Sequence, residues 1–159
     1  MEETITQFYN AFNKLDASLM CSCYHEAIVF EDPAFGVLKG DRARAMWQML
    51  CESQKNKAFK VEVSQIKVNK HRGYAHWEAC YIFSKTGRKV HNKIEATFEF
   101  KDGLIINHID NFSLHRWAGQ AMGIKGLLFG GTEFFRQKLK RQTNGLLDAY
   151  IKEKKPSFL

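Results

Sequence analysis

No apolar run in this 159-residue chain approaches the roughly 20 residues that a membrane-spanning helix needs. The start, Met1-Glu2-Glu3-Thr4, is acidic and lacks the basic segment that opens a secretion signal. A glycine-rich phosphate loop, a serine nucleophile elbow and a zinc motif are also missing, which removes the usual sequence grounds for nucleotide binding, serine hydrolysis or zinc chemistry. Cysteine is sparse, at Cys21, Cys23, Cys51 and Cys80. With no secretion signal these read as reduced thiols in a cytoplasmic protein. Cys21 and Cys23 are two apart on a predicted helix, so their side chains diverge, and no further ligands stand at metal spacing. Neither a metal nor a cofactor is expected. The strands lack alternating cationic and aromatic positions on one face, so no nucleic-acid platform is expected either. Repeats and low-complexity segments are absent.

Aromatic residues are plentiful: thirteen Phe, five Tyr and three Trp. In one domain of this length they fill a core or line an apolar cavity. The net charge of +7 is uneven, because residues 136–155 hold seven Lys or Arg (Arg136, Lys138, Lys140, Arg141, Lys152, Lys154, Lys155) against Asp148 and Glu153. A basic helix can serve nucleic acid or a membrane surface. Here it is read first as a solvated face.

Ile5, Phe8, Tyr9, Phe12 and Leu15 recur at helical spacing, which predicts a helix over about residues 2–14. Asp16 is placed to cap a second short helix with Leu19, Met20, Cys23 and Tyr24 inward. Residues 28–32 read as a short strand, Gly36 and Gly40 as turn residues, and Asp41 as the cap of a third helix carrying Ala43, Met46, Trp47 and Leu50 inward. From residue 58 the period becomes two. Phe59, Val61 and Val63 are odd but Ile66 and Val68 even, which predicts a β-bulge near Ser64-Gln65. Ala75, Trp77, Ala79, Tyr81 and Phe83 form one strand face, and Asn92, Ile94, Ala96, Phe98 and Phe100 the next. Asp102-Gly103 signals a hairpin, and Ile106, His108, Asp110 and Phe112 share a face of the last strand. Three helices followed by an antiparallel meander predict an α+β domain over residues 1–114, a curved sheet wrapped over the helices. Residues 115–159 are a helical extension. A short helix ends at Gly123, an apolar glycine-rich loop follows, and Thr132 caps a long helix with Phe134, Phe135, Leu139, Leu146, Leu147, Tyr150 and Ile151 on its apolar face.

The stretch Val29-Phe30-Glu31-Asp32-Pro33, with Gly36 and Lys39-Gly40-Asp41 behind it and Tyr9 on the first helix, resembles the acid–base setting of ketosteroid isomerase. The order of elements over about residues 4–114 resembles nuclear transport factor 2 folds, which include the SnoaL-like polyketide cyclases. The resemblance implies a cone with an internal pocket, a small hydrophobic ligand, no cofactor and a homodimer formed through the outer sheet face. It makes Asp32 a general base and Tyr9 an oxyanion-stabilising donor. From the cyclases it makes Asp110, in His108-Ile109-Asp110, an acid–base group. Tyr24, Phe30, Phe35, Trp77, Asn92, His108 and Phe112 would line the pocket. Ala96 stands where the isomerase has its protonated aspartate, which counts against a strict ketosteroid isomerase. An epoxide hydrolase of this fold needs an inward arginine, and Arg72 and Arg88 fall at turns.

Plainer readings stand beside these. Asp32 can be an Asx turn before proline, Tyr9 a core tyrosine, and Asp110 an inert polar cluster. The same fold can also serve as a non-catalytic ligand binder or an interaction scaffold. His76, Glu78, His91 and Glu95 fall outward by parity and read as surface or dimer contacts. Trp117, Leu127, Leu128, Phe129, Phe134 and Phe135 are expected to fold back over the cone, or to cross to a second subunit, and close its mouth. A membrane-surface segment is the competing reading of the tail.

Overall fold

The computed structural model describes residues 1–154; Lys155, counted above among the basic residues, lies outside them together with residues 156–159. Helix α1 (Glu2–Asn13) buries Ile5, Phe8, Tyr9 and Phe12 on one stripe and places Glu2 and Glu3 at its positive end. Helix α2 (Ala17–Ser22) is capped by Asp16, whose carboxylate accepts from the Leu19 N–H at 2.9 Å. Strand β1 runs from Tyr24 to Asp32 and turns into β2 (Gly36–Lys39), pairing Val29 with Lys39. The expected strand at 28–32 is thus longer, and Tyr24 opens it instead of ending the second helix. Helix α3 (Asp41–Gln54) has Gly40 at its cap, and Asp41 is its first residue without a capping side-chain bond, contrary to expectation.

Strands β3 (Phe59–Asn69), β4 (Arg72–Phe83), β5 (Arg88–Lys101) and β6 (Leu104–Asn111) form an antiparallel meander. The sheet order is β2-β1-β6-β5-β4-β3. The meander is therefore not the whole sheet: β1 joins β6 in parallel, with Phe30 beside His108. Between Ser64 and Lys67 the β3–β4 register shifts and Gln65 has φ 52°, the bulge expected there. A second irregularity between Glu99 and Phe100 shifts the phase of β6, so Ile105 rather than Ile106 is buried. The helices α1 and α3 fill the concave side, around Phe8, Phe12, Phe30, Trp47, Trp77 and Phe98.

Helices α4 (Leu114–Met122), α5 (Ile124–Phe129) and α6 (Glu133–Lys154) follow the sheet. Leu114, Trp117, Ala118 and Ala121 of α4 pack with Val90 and Leu139 in a second, smaller cluster that also takes in Tyr81 and Phe83. The N–H of Phe135 donates to the Thr132 hydroxyl at 3.1 Å, the cap expected for α6. That helix is strapped down by polar bonds. Arg42 reaches Asp148 at 2.5 Å and Asn144 at 2.8 Å, while Thr143 and Asn144 donate to the carbonyls of Ala34 and Phe35, both at 2.9 Å. Its buried apolar residues are Leu139 and Leu147, whereas Phe134 and Leu146 are exposed.

The expected loop near 124–131 is largely the helix α5, and Ile124, Leu127, Leu128 and Phe129 point away from the cone. Of the residues expected to fold back, Trp117 and Phe135 do so in the second cluster, whereas Leu127, Leu128, Phe129 and Phe134 stay exposed within the single chain. Gly126 and Gly130 occupy the face of α5 against α4. A Cβ on Gly126 would lie 1.8 Å from the Ala118 carbonyl oxygen. The glycine side allows that approach; Leu127 flanks it, with its Cδ1 3.7 Å from where a Cβ on Gly119 would stand, and Ile124, Leu128 and Phe129 are left exposed. Among the described residues no helix is long and apolar enough to cross a membrane.

Candidate functional site

Strand β6 lies inside the sheet between β1 and β5, so its inward side chains are among the deepest in the molecule. His108 is wholly buried and Asp110 nearly so. The imidazole is boxed by aromatic rings, with centroids 4.5 Å away for Phe98, 5.2 Å for Phe30, 5.5 Å for Phe8 and 6.1 Å for Trp47. A polar group in such a box must be hydrogen-bonded, and the bonds form a directional chain.

The indole N–H of Trp47 donates to the Tyr24 hydroxyl oxygen at 2.8 Å. Indole cannot accept, so the Tyr24 hydrogen is left to donate to Nδ1 of His108 at 2.7 Å. That leaves Nε2 as the protonated nitrogen, and it donates to Oδ1 of Asp110 at 3.1 Å. Trp77 donates its indole N–H to the same oxygen at 3.0 Å. Four side chains from α3, β1, β6 and β4 thus hold one carboxylate in a dry interior.

Tyr9 stands beside this chain, 1 % exposed, with its ring 5.3 Å from that of Trp77. Among the described residues its hydroxyl has no hydrogen-bond partner. Burial, then the charge of Asp110, then Tyr24, push its pKa well above the usual phenol value, so it is a neutral donor at any ordinary pH. Tyr24 is likewise pushed well up, first by burial and then by Asp110, with the Trp47 bond opposing. An orphan donor next to a carboxylate is a place where a water or a ligand oxygen gains a bond that the protein alone does not make.

Asp32 ends β1, where its Oδ1 accepts from the N–H groups of Ala34 at 3.0 Å and Phe35 at 2.6 Å. This is the Asx-turn geometry. Burial nevertheless pushes the carboxyl up to about 7; the Phe35 N–H opposes the rise and the charge of Asp110 adds to it. A carboxyl poised near neutrality suits proton transfer. Nearby Tyr81 accepts from the Trp117 indole at 2.7 Å, and burial pushes it up to about 12 against that bond, with Asp32 adding.

The residues expected at the site therefore fall into groups. Tyr9, Tyr24, Trp77, His108 and Asp110 meet in one packed cluster, with Phe30 against the imidazole. Asp32 and Phe35 occupy the turn that α6 straps. Phe112 is half-buried and touches both apolar clusters. Asn92 is half-buried opposite Ala79 and makes no side-chain bond to the cluster. Trp47 was missed as a polar participant: its helical position marks it as core, but nothing in the pattern marks its N–H as the start of a chain. Two prominent hollows lie elsewhere. One, of about 760 Å³, is lined by Arg88, Arg116, Gln120, Ile124 and Leu127 among others. The second, of about 360 Å³, lies between Lys14–Ala17 and α3. Neither reaches Tyr9, Asp32 or Asp110.

On the outer face His76 bridges Glu95 at 2.8 Å and Glu78 at 3.1 Å, and His91 meets Glu78 at 2.5 Å. The two imidazoles hold Glu78 at about 2, and His76 is raised by Glu78 and Glu95 in turn. Among the described residues no group of three His, Cys, Asp or Glu suits a metal ion.

Residues 5–108 match the model of the SnoaL-like domain. The chain belongs to the SnoaL-like family. No curated protein matches it. Solved structures similar to it include a protein of Xanthomonas campestris pv. campestris described as a polyketide cyclase by assignment, with TM-score 0.61 and 18% identity over 75% of this chain and 94% of that one. An LEH-like epoxide hydrolase of M. tuberculosis has TM-score 0.61 and 21% identity, covering 80% and 89%. A hypothetical protein of Catenulispora acidiphila with a ketosteroid isomerase-like fold, in complex with trimethylamine, has TM-score 0.65 and 12% identity, covering 75% and 92%. At these identities the likeness shows the fold. Among the described residues of this SnoaL-like chain no arginine is buried; Arg42 and Arg44 are half-buried and the others exposed.

Proposed function

We propose that this SnoaL-like protein binds a small hydrophobic carbonyl compound and, without a cofactor, moves a proton on the carbon next to that carbonyl, giving an isomer or a cyclised ring. The single observation that carries the reading is the unpartnered Tyr9 hydroxyl beside an Asp110 carboxylate held by the Trp47–Tyr24–His108 chain. In the reaction, Asp110 takes the proton from carbon and the C–H electron pair moves to the carbonyl oxygen. Tyr9 donates a hydrogen bond to the developing enolate. Protonated Asp110 returns the proton at another carbon, or the enolate carbon attacks a second carbonyl, whose π pair moves to its oxygen, and the resulting alkoxide takes the proton back from Asp110 as the ring closes. The N–H of His108 keeps the carboxylate oriented, as a positioning group. Asp32, near neutrality, is the second acid.

The packed interior favours a second reading, a scaffold of the same fold with no ligand inside. One experiment separates them. Steroid-like, terpenoid and polyketide-like ketones are incubated with the protein in D2O, and exchange at the carbon next to the carbonyl is followed by NMR, with thermal shift in parallel. The enzyme reading expects exchange that Asp110→Asn abolishes. Stabilisation without exchange means a binder; neither signal with any compound supports the scaffold. We further propose that two copies pair through the polar outer face carrying His76, Glu78, His91 and Glu95.

A further inference from the structure

We propose that α5 and the start of α6 form a docking surface for an anionic phospholipid bilayer. Ile124, Leu127, Leu128, Phe129 and Phe134 are 76%, 59%, 66%, 58% and 72% exposed. Ile124, Leu127 and Leu128 stand at i, i+3 and i+4, one face of one helix. Scattered apolar side chains on a surface are ordinary, but five within eleven residues form a patch of the kind that marks an interaction site.

The patch is fixed in its outward orientation. Gly126 and Gly130 face α4, where a Cβ would lie 1.8 Å from the Ala118 carbonyl oxygen and 2.5 Å from the Ala118 Cβ, respectively. His115 donates to the Leu127 carbonyl at 2.6 Å and holds the helix against rotation. Rolling α5 to bury its leucines would need to lift the glycine face off α4. The helix thus packs its glycines against α4 and leaves more than half of each large side chain in water.

The rim of the patch selects the occupant. Arg88 and Arg116 line the 760 Å³ hollow together with Ile124 and Leu127, so cations and apolar side chains meet in one concavity wide enough for a phosphate headgroup. Lys125 lies within α5. Lys138 and Arg141 follow Phe134 at i+4 and i+7 and share its face. The acid nearby in sequence, Glu133, already has Arg136 at 3.6 Å and Gln137 at 2.6 Å. A second copy docked on this patch about a two-fold axis would bring the basic rim against itself. An anionic bilayer meets the cations with phosphate and takes the apolar tips below the headgroups.

The test is co-sedimentation of the full chain with phosphatidylcholine vesicles, with and without phosphatidylglycerol. Binding is expected only with the anionic lipid and should weaken with salt. Leu127→Ser with Leu128→Ser should lose it. Arg116→Gln with Lys125→Gln should weaken it about twenty-five-fold, taking roughly five-fold per cation near the surface. These positions are exposed, and an unchanged melting temperature confirms that each variant folds. In a separate Leu128→Trp protein, the added indole's emission should shift to the blue on vesicles. Absence of sedimentation with either lipid overturns the proposal. So does vesicle-free dimerisation that the Leu127→Ser, Leu128→Ser change abolishes, since that identifies a second copy as the occupant. Binding that the Arg116→Gln, Lys125→Gln change leaves intact overturns the assigned role of the rim.

Discussion

Tyr9 keeps a buried hydroxyl without a partner, at a cost of about 1–3 kcal/mol, although phenylalanine would fill the same space. Tyr9→Phe is therefore expected to leave stability unchanged or to raise it by up to about 1 kcal/mol in urea unfolding, while lowering turnover of a carbonyl substrate about 10²–10³-fold. A purely structural tyrosine would give no such divergence. His108 is the reverse case: His108→Leu leaves the Tyr24 hydroxyl hydrogen without an acceptor and Asp110 with only the Trp77 N–H, and should cost about 2–5 kcal/mol in the same assay. For Asp32 the sign follows from linkage. Its native pKa of about 7 exceeds the ordinary 3.8, so the folded state holds the proton more tightly. Stability from this group is fully present below about pH 4 and is lost as pH rises towards 7, at no more than about 1.4 kcal/mol per pH unit. Asp32→Asn should flatten that slope in denaturant titrations between pH 4 and 7. An unchanged slope would mean that the carboxyl is solvated.

The elements that could be read from the sequence are those whose periodicity is undisturbed. Helix α1 and strands β4 and β5 follow the 3.6 and 2.0 periods and bury the residues those periods select. The bulge at Ser64-Gln65 was visible because it changes parity within one strand, whereas the irregularity opposite Ile105 hides in a hairpin and moved the inward phase of β6 by one residue near its start. His108 and Asp110 lie beyond that shift, so their shared inward face was legible. Strand β2 is four residues long, too short for a pattern, and the first half of β1 reads as polar at His25-Glu26. The α5 sequence reads as a loop because its glycines, a propensity penalty in isolation, serve packing. Gly126→Ala tests that role. The displaced α5 should make residues 123–131 cleavable by protease, with near-UV circular dichroism of the core unchanged. Resistance equal to the parent protein would show that α5 accommodates the added carbon.

At the scale of the whole molecule, charge is distributed by surface. The cationic tail strengthens one side, while the outer sheet face mixes His, Glu and Lys. Here the linkage of His76 acts across the sheet. Its pKa is raised by Glu78 and Glu95, so the stability it supplies is present below the ordinary 6.5 and fades as pH rises through the raised native value. Thermal melts from pH 6 to 8 should decline in the parent chain and decline less in His76→Gln. If this face pairs two copies, sedimentation velocity should show dissociation over the same window.

The parallel pairing of β1 with β6 also has a consequence in time. The strand from Tyr24 to Asp32 is synthesised early, but its partner residues, Ile105 to Ile109, follow about eighty residues later. At roughly 5–20 residues per second, a nascent chain carries that strand for about 4–16 s with only the short β2 along one edge. The other edge is open to any neighbouring chain in the meantime. Closing so distant a contact is slow in itself. Aggregation of nascent chains, more than unfolding of the finished protein, is where a weakened β6 would first be felt.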